Sequence, residues 1–182
     1  RLFASNQLLT QLNRDALQSP KLTVINEDAF QWLRKGRELR NNPPYDAVII
    51  DLPDPSNFSI GKLYSLSFFK LLPAIMQEHA LVVIQSTSPL VARKSFWCVA
   101  HTLAASGFQT TPYHVYVPSF GEWGFIIGGF SAYTHPQHYP GGLRYVSTDS
   151  AREMFYFPAD MAEVETPVQK LDDQVLVRYF YQ

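Results

Sequence analysis

A single cysteine, Cys98, stands in a chain of 182 residues. It excludes an internal disulfide and any metal site built on cysteine, and it fits a reducing compartment. Charge of one sign is also missing, since 15 Lys and Arg face 16 Asp and Glu for a net charge of -1. That balance argues against a strongly basic nucleic-acid binder, and a hydrophobic content of 46% argues against intrinsic disorder. Long apolar runs are absent: Leu81-Val82-Val83-Ile84 is typical of the longest, whereas a spanning helix needs roughly 20 such residues. The histidines at 79, 101, 114, 135 and 138 show no metal-ligand spacing on a shared helix face. The chain opens at Arg1 with no methionine and no secretory or transit pattern. These absences lead us to expect a soluble, cytoplasmic piece of a longer protein.

What is present is an alternation of apolar patterns. Leu2, Leu8, Leu9, Leu12 and Leu17 carry helical spacing, and Lys21 to Ile25 gives a short strand. Asp28 caps a helix with apolar positions Phe30, Trp32 and Leu33, and the Asn41-Asn42-Pro43-Pro44 loop follows. Tyr45 to Leu52 reads as a strand buried on both faces, because its centre, Ala47-Val48-Ile49-Ile50, is continuously apolar. A turn at Asp54-Pro55-Ser56-Asn57 precedes helical spacing from Leu63 to Met76. A third strand, His79 to Gln85, leads to a helix from Phe96 to Ala105 that Gly107 stops.

Strict strand and helix alternation predicts an α/β fold with a mostly parallel sheet, because parallel neighbours need crossovers and helices supply them. Thr110 to Pro118 and Trp123 to Phe130 then predict an antiparallel pair that closes the sheet. We expect residues 1–130 to form this domain and residues 131–182 to form a C-terminal extension packed on it. The extension is rich in Tyr, Pro, Gly and His, with one short helix at Ser150 to Phe155.

Ligands of open α/β sheets bind beyond the carboxyl ends of the strands. Those places hold Glu27-Asp28, Asp51 with Asp54, Gln85-Ser86, and the segment from Tyr116 to Trp123. Acidic and amide groups beside aromatics, without clustered Lys or Arg, point to a cationic ligand rather than a phosphate. Two carboxylates three residues apart could attract an ammonium, orient it and take its proton. The commoner role of such a pair is a turn cap beside a solvated carboxylate, and Asp28 likewise commonly serves as a helix cap. Gln85 can stand as an ordinary loop residue, Cys98 as a small buried hydrophobe, and Phe120 and Trp123 as core aromatics or pocket walls.

Read together, five ordered segments resemble the spermidine synthase (polyamine aminopropyltransferase) family. They are Val24 to Phe30, Tyr45 to Pro55, Leu63 to Leu72, Val83 to Ser86, and Val117 to Phe125. The run Asp51-Leu52-Pro53-Asp54-Pro55-Ser56-Asn57 is most similar to the bacterial branch in which the synthase domain follows an N-terminal membrane region. The resemblance implies a Rossmann-like S-adenosylmethionine-dependent methyltransferase fold, here its C-terminal part. It implies aminopropyl transfer from decarboxylated S-adenosylmethionine, a nucleoside sulfonium co-substrate, to putrescine or a related diamine, with no prosthetic group and no metal.

By that resemblance Asp51 is the catalytic carboxylate, Asp54, Gln85, Phe120 and Trp123 meet the diamine, and Asp28 with Ala29 meets the adenine. Phe120 stands where the family has a tyrosine. The family's Gly-rich loop and its ribose-binding acid precede the matched region, so we expect half a cofactor site here and little activity from this piece alone. An open sheet edge also raises the expectation of a homodimer. Two other readings are a methyltransferase using S-adenosylmethionine itself and a non-catalytic polyamine-binding domain.

Overall fold

The computed structural model describes residues 6–36 and 43–180, apart from the side chain of Phe180. Four strands form one sheet: β1 (Tyr45–Ile50), β2 (Met76–Ser86), β3 (Gln109–Val117) and β4 (Gly121–Gly129), in the order β1-β2-β4-β3. β1 and β2 pair in parallel, with Ile50 opposite Ile84, while β4 runs antiparallel to both β2 and β3. Three strands therefore share one direction and β4 opposes them. The α/β alternation and the closing antiparallel pair are both present.

β2 is the spine, because it has a hydrogen-bonded strand on each side. Its Ala80, Val82, Ile84 and Ser86 are buried on one face, as the two-residue period of a strand dictates. Against that face packs the longest helix, Arg93–Ala105, with Phe96, Val99, Ala100 and Leu103 buried. Two glycines of β4 make the approach possible. A Cβ on Gly124 would overlap the Phe96 ring and lie 2.7 Å from the Thr87 carbonyl oxygen, and one on Gly128 would lie 2.9 Å from Leu103 Cδ2.

Several expectations shift. The first helix is Gln7–Leu12, capped by Asn6, and the chain then turns through left-handed Arg14 and Asp15 into a 3-10 turn at Ala16–Gln18. Residues 2–5 of the expected helix, and Asn41-Asn42 of the expected loop, lie outside the described residues. The expected helix from Leu63 to Met76 is broken into a 3-10 turn at Lys62–Tyr64, a helix at Leu66–Phe69 and a 3-10 turn at Leu72–Ile75. Ser65 causes the first break by accepting from Phe68 N, and Pro73, which has no N–H, starts the last turn. Phe68, Phe69, Leu72 and Ile75 still share the core, so the apolar spacing located the burial even though it overstated the helix.

Two expected strands behave differently from their composition. Lys21 to Ile25 is not a strand, and Val24 and Ile25 are exposed. β1 is not buried on both faces, for Ile49 is 79% exposed. Side chains of a strand alternate between its faces, so Ile49 points away from the covered face on which Ile50 is buried.

The C-terminal segment binds tightly to the sheet domain. Arg93 Nε donates to the Ala162 carbonyl at 2.6 Å and Trp97 Nε1 to that of Met161 at 3.0 Å. His101 bridges Glu163 and Thr166, each at 2.8 Å, and His114 sits between Glu122 and the Tyr156 carbonyl at 2.8 and 2.7 Å. The helix expected at Ser150 to Phe155 lies at Thr148–Glu153, closed by a Ser147–Ser150 capping box. A further helix, Val175–Phe180, was not anticipated and contributes fully buried Val175 and Leu176 to the core.

Gly124→Ala is expected to lower stability by about 1–3 kcal/mol, since Phe96 must leave its rotamer or β4 must move away. A thermal melt should show the Tm falling by roughly 2–10 °C; an unchanged Tm would mean that the helix tolerates displacement from β4.

Candidate active site

The register of the sheet assembles the site. Because Ile50 lies opposite Ile84, the residues that leave the two strands side by side are Asp51 and Gln85. Gln85 in turn faces Phe125 of β4, and Trp123 lies two residues further along on the same face. With its amide nitrogen turned toward Asp51, Gln85 donates to Asp51 Oδ1 at 2.7 Å and accepts from Trp123 Nε1 at 3.2 Å. Trp123 is a donor only, so it fixes which end of the amide faces the carboxylate. Phe120, 70% exposed on the hairpin, leans on Trp123 with ring centroids 5.5 Å apart.

Asp54 lies in the turn after β1. Burial raises its carboxyl above the ordinary aspartate value. Between the two aspartates the chain is held from below by Tyr64, a residue that the sequence reading passed over as a site member. Tyr64 is 2% exposed, and its hydroxyl lies 3.0 Å from the Leu52 carbonyl and 3.2 Å from that of Pro53. Burial, with Asp54 and Asp51 adding their negative charge, pushes its hydroxyl well above the ordinary tyrosine range. A tyrosine at the third residue of a broken helix was the available signal, but apolar spacing alone classed that stretch as core.

Asp28 is separate from this cluster and is a true helix cap. Its Oδ1 accepts from Gln31 N at 2.9 Å, and its Oδ2 holds Lys62 Nζ at 2.7 Å. The Lys62 ammonium first, then the Gln31 amide, hold its carboxyl below the ordinary value. Lys35 similarly pairs with Glu27 at 2.7 Å. Lysines thus stand beside both acidic groups of this first position, whereas neither Asp51 nor Asp54 forms an ion pair among the described residues.

Ala29 and Asp51 nevertheless meet at one cavity of about 240 Å³, whose other walls include Trp32, Ile50, Leu52 and Phe68. It is apolar apart from Asp51, as suits a flat, largely apolar group with one charged neighbour. Another cavity of about 220 Å³, among His135, Tyr139, Thr148, Arg152 and Phe155, shares no residue with it.

Helices packed on a mixed sheet, with Asp51 and Gln85 at the ends of adjacent parallel strands, make a Rossmann-like α/β arrangement. Solved structures share it. A spermidine synthase crystallised with the transition state analogue AdoDATO superposes with a TM-score of 0.65 at 17% identity, over 84% of this chain and 56% of that one. Spermidine synthase from Thermotoga maritima gives a TM-score of 0.61 at 16% identity, over 84% and 54%. The family follows from sequence: residues 3–138 match the model of the spermine/spermidine synthase domain, and the chain belongs to that family.

Among curated relatives, a polyamine aminopropyltransferase of Leptospira interrogans is 45% identical over 179 residues, or 98% of this chain and 35% of the relative. Polyamine aminopropyltransferase 2 of Ralstonia nicotianae is 45% identical over 181 residues, 98% and 34%. The chain thus spans about a third of the length of these relatives. No helix among the described residues is long and apolar enough to cross a membrane.

Asp54→Asn should stabilise the fold at neutral pH. A carboxyl whose folded pKa is raised favours folding below its unfolded value and loses that contribution as pH rises through the folded one. The advantage of Asn over Asp should accordingly be present at pH 7 and vanish by about pH 3, which denaturant titrations at the two pH values would reveal. Equal midpoints at pH 7 would show that water reaches the carboxylate.

Proposed function

We propose that this chain carries the carboxylate-bearing half of a polyamine aminopropyltransferase, which moves the aminopropyl group of decarboxylated S-adenosylmethionine to putrescine or a related diamine. The products are spermidine and methylthioadenosine. The observation that carries this reading is the hydrogen-bonded row Asp51, Gln85 and Trp123 beside a cavity shared with Ala29. The family membership and the named relatives support it further.

The chemistry asks for little beyond positioning and charge. A diamine arrives as a dication, and Asp51 and Asp54, which form no ion pair among the described residues, present negative charge to it. Gln85 occupies Asp51 Oδ1 as a donor, so Oδ2 is left to accept from the substrate ammonium. Asp51 takes one proton from that ammonium, and the freed lone pair attacks the carbon bonded to sulfur. The C–N bond forms as the C–S bond breaks, the sulfonium becomes a neutral thioether, and a proton departs through Asp51 to solvent.

Asp54 holds the distal charge of the diamine, while Phe120 and Trp123 flank its methylenes. Asp28 retains lone pairs beyond those used by Gln31 and Lys62, enough to accept from the exocyclic amine of adenine with Ala29 beneath the ring. In this reading residues 1–130 carry the chemistry and residues 131–182 are an extension packed on them. The 182-residue piece by itself is inactive, for want of the remaining nucleoside contacts. The full-length protein tethers the domain at the cytoplasmic face through an N-terminal membrane region and pairs with a second copy.

Mass spectrometry of reactions with putrescine or cadaverine, run with decarboxylated and with ordinary S-adenosylmethionine, tests this on the full-length protein. Methylthioadenosine and an aminopropylated amine are expected from the decarboxylated donor only, and Asp51→Asn should lower turnover roughly 100- to 10,000-fold. A methylated product from ordinary S-adenosylmethionine would make the protein a methyltransferase. Binding of polyamine without consumption of either donor would make it a binding domain.

A further inference from the structure

Lys62 and Tyr64 stand two residues apart on one 3-10 turn and reach opposite sides of the candidate site. Lys62 holds Asp28 at 2.7 Å, and Tyr64 holds the carbonyls of the Leu52-Pro53 link between Asp51 and Asp54. Any displacement of this turn moves both groups of carboxylates together. What fixes the turn lies far away in sequence. Gln169, fully buried in the C-terminal segment, donates from Nε2 to the Gly61 carbonyl at 3.3 Å, and its own carbonyl accepts from Leu66 N at 2.9 Å. One residue thus grips the turn at its start and at its end.

Gln169 is anchored in its turn. Its backbone N–H donates to Thr102 Oγ1 at 2.9 Å on the long helix, and its Oε1 accepts from Leu176 N at 3.0 Å. The side-chain amide and the main chain are therefore both engaged, which leaves the residue no alternative position without burying an unpaired polar group. The packing agrees. A Cβ on Gly61 would lie 2.6 Å from Gln174 Oε1 and 3.0 Å from Val177 Cγ2, so the extension packs closely against the start of the turn.

We infer that Gln169 is a positioning residue, and that the C-terminal extension acts on the site by clamping the Gly61–Leu66 turn from which Lys62 and Tyr64 set the two carboxylate groups. The consequence for turnover rests on the functional reading above, but the clamp itself does not. The extension is then part of the catalytic apparatus without touching substrate.

Gln169→Met keeps the volume and removes the amide. In the full-length protein, hydrogen exchange followed by mass spectrometry should quicken about tenfold or more for amides between residues 51 and 66, while β2 and β4 keep their native protection. Unchanged exchange in a folded variant overturns the clamp. Should that variant fail to fold, Gly61→Leu, whose longer side chain must displace Val177 as well as the end of Gln174, pushes the extension off the turn without substituting Gln169 or any carboxylate, and the same local quickening is expected; native exchange there overturns the proposal equally. With substrates, either variant should lose about tenfold or more in kcat, with the loss shared by no variant of the exposed rim of the extension such as Glu165→Gln. Local quickening with native kcat would overturn the link to catalysis. An unsubstituted protein that transfers no aminopropyl group would overturn the functional reading and leave the exchange result to decide the clamp.

Discussion

The parallel register that sets Ile50 against Ile84 determines where every acidic and amide group of the site falls. Side chains on a strand alternate between faces, so a slip of one residue would send Asp51 to the side opposite Gln85 and dissolve their hydrogen bond. That register is held from the other side of β2 as well, where β4 pairs Gln85 with Phe125 and Ser86 with Gly124. β4 can lie close only because Gly124 and Gly128 leave room for Phe96 and Leu103 of the long helix. Core packing and site geometry are therefore one problem: the helix that buries Phe96 also fixes the strand that carries Trp123.

Electrostatics divides the site in two. Asp28 has a lysine within hydrogen-bond distance and a backbone donor, and its carboxyl is held ionised. Asp51 has the Gln85 amide beside it, and burial works against the charge of Asp54. A fold gains nothing from leaving carboxylates in that condition. An opposite charge brought beside Asp54 would favour its ionised form against that burial.

Much of this was legible in sequence because the candidate residues lie at strand ends and strand ends are marked by apolar runs. Ala47-Val48-Ile49-Ile50 and Leu81-Val82-Val83-Ile84 located β1 and β2, and so brought Asp51 and Gln85 into view before any contact was known. The same signal misled where burial depends on a neighbour. Ile49 and Ile25 are as apolar as Ile84, yet they are exposed, because composition does not say which face of the chain another element packs upon. Lys62 and Tyr64 were hidden by a different cause: in a run spaced like a helix, Ser65 and Pro73 break the helix, and the break turns a core-like tyrosine toward carbonyls.

Gln169 was beyond any local reading. Nothing in Pro167-Val168-Gln169-Lys170 suggests burial, since a glutamine amid proline, lysine and aspartates reads as exposed loop. It is buried because four separate partners, on the turn, the long helix and the last helix, satisfy its main-chain and side-chain groups at once. Such a residue has no periodicity to reveal it, since three of its four partners, Gly61, Leu66 and Thr102, lie far off in sequence. A buried amide with a full set of partners tolerates little movement, whereas an apolar residue there could slide along the turn. Lys62 and Tyr64 reach Asp28 and the Leu52-Pro53 link from one turn, and the inferred clamp gives that turn its rigid support through a single side chain of a weakly patterned segment.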